Sequence, residues 1–294
     1  MTALTILFVS DICGKPGRQA AAHLIKPLRQ KHNVDYVIAN VENAAGGFGV
    51  TPEMSRKIFS YGVDYQTSGN HIWDRVDILE YFQDKPKLLR PGNYPAAAPG
   101  SGWAIDTIGD HKIGVVNLQG RVYMANIDCP FQMADAIVNE ISKVTPIIFV
   151  DFHAEATSEK QAMAFYLDGR VSAVIGTHTH VQTADETISL RGTAYLTDAG
   201  MTGPHDSIIG MQKGPSLGRF LTGMPKRFST AVNDVKLSGV LLKVNPENGE
   251  AIHIERIRED FDLETFDATE ISGIQEESAE ESPADSEPEI AGES

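Results

Sequence analysis

Residues 35–70 read "DYVIANVENAAGGFGVTPEMSRKIFSYGVDYQTSGN". "DYVIANVEN" at 35–43 opens on a continuous apolar run, the mark of a buried strand. "TPEMSRKIFSYG" at 51–62 carries a full set of helix signals. Thr51 is placed to cap, Pro52 takes the first helical position, Glu53 lies in the first turn and Gly62 is the stop. "VDYQTSGN" at 63–70 returns to a strand. Upstream, "LTILFVSD" at 4–11 is a buried strand, and "GRQAAAHLIKPLRQKH" at 17–32 is a helix that Pro27 bends or brings into its last turns,. Strand, helix, strand, helix, strand predicts an α/β fold with a largely parallel sheet.

Further along, "GWAIDTIGDHKIGVVNLQG" predicts two antiparallel strands about Gly109 and Asp110. "PIIFVDFHAE", a helix near 157–168 and "VSAVIGTHTH" resume the alternation. Late strands follow at "TAYLTDAG", "SGVLLKVNP" and "AIHIERI". No repeat of fixed period is visible. The reading is one domain over residues 1–262, built of mixed sheets covered by helices.

The chain has 294 residues and a formal net charge of −15. The charge is uneven: 14 of the 40 acidic residues lie from Glu259 onward, and none of the 25 Lys and Arg do, so the first 258 residues sum to about −1. A nearly neutral domain argues against a duplex nucleic-acid partner. "IQEESAEESPADSEPEIAGES" is too polar to offset its ordering entropy, so an acidic, disordered C-terminal tail is expected over 263–294,. No apolar run approaches the roughly 18 residues of a membrane span. Two cysteines, Cys13 and Cys129, and no signal-peptide pattern suggest a reduced, cytoplasmic chain,.

Polar groups gather where the strands end: Asp11; Asn40, Glu42 and Asn43; Asn70 and His71; His153; His178 and His180. In open α/β sheets the ligand crevice lies at the carboxyl ends of strands. "HTH" is the strongest single signal, since alternate strand residues face one side. Each item alone has an ordinary explanation as a cap or a loop polar group. Five strand ends bearing potential ligands together do not. Oxygen and nitrogen donors without a thiolate pair suit Mn, Fe or Zn. Seven groups suit two ions about 3.5–4 Å apart, with Glu42 as the bridge. "CGKPGR" and "AAGGFG" lack the spacing of nucleotide loops. Gly46, Gly47 and Gly49 are read as bringing backbone close to the site, and Lys15 and Arg18 as solvated surface groups.

Asp11, "VEN" at 41–43, "GNH" at 69–71, His153 and "GTHTH" at 176–180 resemble, in order and approximate spacing, the five motifs of the calcineurin-like metallophosphoesterases. "SDICGKPGR", "NVENAAGGFGVT", "TSGNHIWD" and "GTHTHVQTAD" are more similar to one branch, the bacterial YmdB-like phosphodiesterases. The usual Asp-x-His of the first motif is Asp11-Ile12-Cys13 here, and the usual bridging Asp is Glu42. Both departures match that branch, and Cys13 becomes a further candidate ligand.

The resemblance implies a calcineurin-like α/β/β/α sandwich and a metal-dependent hydrolase of phosphodiesters, with 2′,3′-cyclic nucleotides as the expected substrates. It assigns Asp11, Glu42, Asn43 and His180 to one ion, and Glu42, Asn70, His153 and His178 to the other. The ions are two divalent or mixed-valence metals, Fe or Mn first and Zn as an option. A metal-bound hydroxide attacks phosphorus, and His71 is general acid rather than ligand. A homo-oligomer is expected. The resemblance also raises an alternative, a regulatory metal-binding scaffold acting through a ribonuclease partner. A purine- or sugar-binding Rossmann domain is disfavoured by the imidazole cluster.

Overall fold

The structure, a computed structural model, describes residues 3–262; the acidic tail expected over 263–294 lies outside them. β1 (Leu4–Val9), β2 (Tyr36–Asn40) and β3 (Tyr65–Thr67) run parallel, side by side. They are linked by α1 (Gly14–Lys31) and α2 (Pro52–Ser60). Thr51 caps α2, its Oγ1 accepting the Met54 N–H at 3.2 Å,. α1 starts three residues before the expected 17, and Pro27 sits within its final turns. A single turn, α3 (Ile78–Tyr81), follows.

β4 (Trp103–Ile108) and β5 (His111–Gln119) form the expected antiparallel pair. Then come α4 (Pro130–Ile141), β6 (Ile148–His153), α5 (Thr157–Leu167) and β7 (Ala173–Thr177). The remaining elements are β8 (Thr187–Ile188), β9 (Ala194–Leu196), β10 (Gly203–Pro204), α6 (Lys213–Thr222), β11 (Val235–Val244) and β12 (Ala251–Phe261).

Two six-stranded mixed sheets result. One runs β10-β11-β1-β2-β3 with β12 also on β11; the other runs β4-β5-β6-β7-β9-β8. Strand alternation divides the apolar residues between layers. Ile6, Phe8 and Ile38 of the first sheet meet Val115, Phe149, Ile175 and Leu196 of the second. The Phe8 and Phe149 rings lie 5.0 Å apart at the centre. On the far face of the first sheet, Leu7, Val9, Val37 and Ala39 pack on Ile25 and Leu28 of α1 and Ile58 of α2. On the far face of the second, Val116, Leu118, Ile148 and Val150 pack on Ile137 and Ile141 of α4 and Met163 and Leu167 of α5. This is the α/β/β/α sandwich.

Because β1, β2 and β3 are parallel, as are β5, β6 and β7, the carboxyl ends within each run lie together. Polar side chains join the two sheets behind that edge. Asp151 of β6 accepts from Asn40 Nδ2 at 2.9 Å, from the Thr67 hydroxyl and from Thr177 Oγ1 at 2.7 Å. Asn40 is therefore a brace between layers, held by β6.

Candidate metal centre

Two groups of donor atoms sit at this edge. In the first, Glu42, His153 and His178 offer ligand atoms all within 4.8 Å of one another; in the second, Asp11, Glu42 and His180 do the same. Glu42 belongs to both. His153 Nε2 stands 3.1 Å from Glu42 Oε1, 3.0 Å from Asn70 Oδ1 and 3.0 Å from His178 Nδ1. Asp11 Oδ2 lies 3.4 Å from His180 Nε2, and Asn43 Nδ2 lies 3.1 Å from that nitrogen and 3.0 Å from Glu42 Oε1. The seven expected ligand residues are thus brought together.

The histidines reach their places differently from the expected alternation. β7 ends at Thr177, and His178 and His180 have φ of 98° and 65°. Two left-handed residues in a tight turn, not alternate positions on a strand, send one imidazole to each donor group. Such backbone is costly outside glycine and persists where surroundings fix it. Here the fixing groups are Asp11, whose Oδ2 accepts the His178 N–H at 3.0 Å, and Asp198, whose Oδ2 accepts the Thr179 N–H at 3.0 Å and its hydroxyl at 2.7 Å. Asp198 is fully buried and paired at 2.7 Å with Lys160, itself 1% exposed. Neither member was anticipated.

Several features fit this centre to metal. Asp11 Oδ1 is buried without a hydrogen-bond partner, an expensive omission unless a cation meets it,. His153 is fully buried, and its Nδ1 lies 3.0 Å from Thr177 Oγ1, a hydroxyl that donates onward to Asp151. Thr177 therefore accepts the Nδ1 proton and leaves the Nε2 lone pair toward the carboxylate, amide and imidazole around it. One lone pair among three other donor atoms is the chemistry of a ligand shell. His180 is oriented likewise, its Nδ1 being 2.9 Å from the Ile209 carbonyl.

The charges tell the same story. Burial raises Asp11 well above the usual carboxylate range. Burial also acts to raise Glu42, but His153 beside it wins and holds it below that range. Burial opposes a charged His153, yet Glu42 and Asp11 carry it up to about 9, while burial followed by repulsion from His153 drives His178 down to about 3. Two buried acids beside one another thus leave this edge in demand of positive charge,.

Cys13, considered as a ligand, lies in neither group. It packs with Met201 and Met211, and burial pushes its thiol up to about 12. Arg18, expected on the surface, is 3% exposed and its Nη1 donates to the Ala44 carbonyl, so it braces the loop after β2. That loop turns through Gly46, Gly47 and Gly49, all at positive φ. A Cβ on Gly47 would stand 2.5 Å from Met211 Cε. His71 lines the open cleft beside the donor groups. Its Nδ1 is 2.8 Å from Asp74 Oδ2; burial lowers its pKa, but the bond to Asp74 and the charge of Glu42 raise it overall. Asp74, three residues on in the same "GNHIWD" motif, is the partner of this histidine.

The model of the YmdB-like protein family matches residues 7–257. The chain belongs to that family. It is 45% identical over 254 residues to the 2′,3′-cyclic-nucleotide 2′-phosphodiesterase of Bacillus subtilis, covering 86% of this chain and 96% of that one. Among solved structures, a hypothetical protein from Thermus thermophilus is 39% identical, with a TM-score of 0.82, over 88% of this chain and all of that one. A phosphatase from Mycoplasma pneumoniae is 32% identical, with a TM-score of 0.83, over 90% and 96%. The two-sheet fold is that of the calcineurin-like metallophosphoesterases.

Proposed function

We propose that this YmdB-like protein is a metal-dependent phosphodiesterase that opens 2′,3′-cyclic nucleotides at the 2′ ester, leaving a 3′-phosphate. The observation that carries the reading is the pair of donor groups sharing Glu42, with an unpartnered Asp11 oxygen, in a chain 45% identical to an enzyme named for that reaction. Asp11, Glu42, Asn43 and His180 would hold one ion, and Glu42, Asn70, His153 and His178 the other. Half a turn of the Asn43 amide exchanges its Nδ2 for Oδ1. Nitrogen and carboxylate donors with amides suit Fe or Mn, with Zn as a third option. Bound ions of this kind neutralise phosphoryl charge and acidify water.

The chain's own residues supply the remainder. Water adds to phosphorus and releases a proton to solvent as the bond from phosphorus to O2′ breaks, and O2′ must gain a proton. His71 gives it from Nε2, because Nδ1 is committed to Asp74. Asp74 fixes the ring and favours the imidazolium, so His71 is charged and ready below its raised pKa,. Removing a positioned acid costs roughly 10²–10⁴-fold when the leaving group is a poor one. His71→Ala should therefore slow a cyclic nucleotide far more than a nitrophenyl diester, whose leaving group needs little protonation. Equal losses on both would remove His71 from the role. A wild-type protein turning over monoesters faster than 2′,3′-cyclic nucleotides would sink the assignment.

A further inference from the structure

The cleft beside the donor groups has a second wall that no step above uses. Its volume is about 540 Å³, within the range of small-molecule sites,. One side is Glu42, Asn43, His71, His178 and His180; the other is Phe48, Ile209, Met211, Arg219, Phe220 and Phe228. The second wall comes from the loop after β2, the 205–212 loop and α6 with its sequel. It is fastened to the first, since the Ile209 carbonyl holds His180 Nδ1 and the Phe48 ring meets the His71 ring edge-on at 5.1 Å. Arg219 Cζ lies over the Phe228 ring, 5.5 Å from its centre. Phe220 is 80% exposed, and Leu217, Leu221 and Met224 of the same segment are exposed as well.

Exposed aromatic surface opening onto a polar centre asks for a flat, apolar portion of ligand. Resting on the phosphodiesterase reading, we propose that Phe228, Phe220 and Arg219 seat the nucleobase of the substrate. A base is planar and stacks on aromatic rings whatever its sequence identity, and a guanidinium adds a stacking face and donors. Along this wall Ser216 is the other polar side chain, and its hydroxyl is already given to the Gln212 carbonyl at 2.9 Å. At 4% exposure Ser216 has little surface to offer a base amino group, so the wall presents apolar faces and a guanidinium rather than pairing groups. The seat reads bases by stacking: all four are accepted, and the larger purines lead the pyrimidines. This wall also supplies a cation, Arg219, that the motifs alone do not.

The experiment compares kcat/KM for 2′,3′-cyclic AMP with that for glycerol cyclic phosphate, which keeps the five-membered diester and lacks a base. Phe228→Ala should lower the nucleotide value by roughly 5- to 150-fold, mainly through KM, and leave the glycerol value nearly unchanged. Phe228→Tyr should restore it. Phe220→Ala, at an exposed position, should shift the same ratio without lowering the melting temperature. Titration calorimetry with 3′-AMP against inorganic phosphate should show the same selective loss in both Ala variants. Equal losses on both substrates, or unchanged 3′-AMP affinity, would overturn the seat. Wild-type protein that cleaves neither cyclic phosphate would overturn the phosphodiesterase reading instead, and the 3′-AMP titration would still decide the seat.

Discussion

Replacing Lys160 by Met tests the support beneath the histidine turn. Lys160 Nζ meets Asp198 Oδ2 at 2.7 Å with side chains 1% and 0% exposed. The same oxygen takes both donors of Thr179, and Asp198 Oδ1 takes the Gly200 N–H at 2.9 Å. Methionine keeps the stem's packing and removes the charge, stranding a buried carboxylate. Breaking a buried pair from one side costs about 3–5 kcal/mol. For a domain of this size that is a fall of roughly 6–20 °C in melting temperature. The assay is scanning calorimetry of chelator-treated protein, so that metal binding does not contribute. Lys160→Met combined with Asp198→Asn removes both charges and should recover part of the loss, giving a clear coupling term. A fall under 2 °C for the single variant, or a double variant no better than the single one, would refute the reasoning.

Gly69→Ala should abolish metal loading, because the new Cβ would stand 2.2 Å from Glu42 Oε2 and 2.3 Å from His153 Nε2; unchanged metal content by elemental analysis would contradict this. Thr177→Val frees the His153 Nδ1 proton from its acceptor and should weaken Mn binding about 10–100-fold, measured by titration calorimetry. Asp74→Asn removes a contact that raises the His71 pKa, and an acid works only while protonated. The alkaline fall of kcat for cyclic nucleotides should therefore move to lower pH, and an unmoved or rising limb would count against the dyad.

Much of this molecule is legible in its sequence, for reasons that differ by segment. Thr51, Pro52 and Gly62 act through local backbone chemistry, so α2 is read correctly from twelve residues. β1, β2 and β6 are buried on both faces, and their apolar runs say so. α4 escapes attention although Ala134, Ile137, Val138 and Ile141 keep helical spacing, a signal that counting would have found. α6 is harder, since "KGPSLGRFLT" holds two Gly and a Pro and leaves its apolar groups exposed. The donor residues are visible because chemistry restricts their types. How His178 and His180 part toward two donor groups is not, since positive φ at a non-glycine residue is imposed by distant Asp11 and Asp198. Arg18 misleads for the opposite reason: a charged residue reads as surface until its partner is known.

The most direct measurement is the rate and product of 2′,3′-cyclic AMP hydrolysis as Mn is returned to chelator-treated protein. Turnover should be absent without metal, rise until two ions per chain are bound, and yield 3′-AMP as product. Turnover that survives chelation, or that saturates at a single ion, would contradict it.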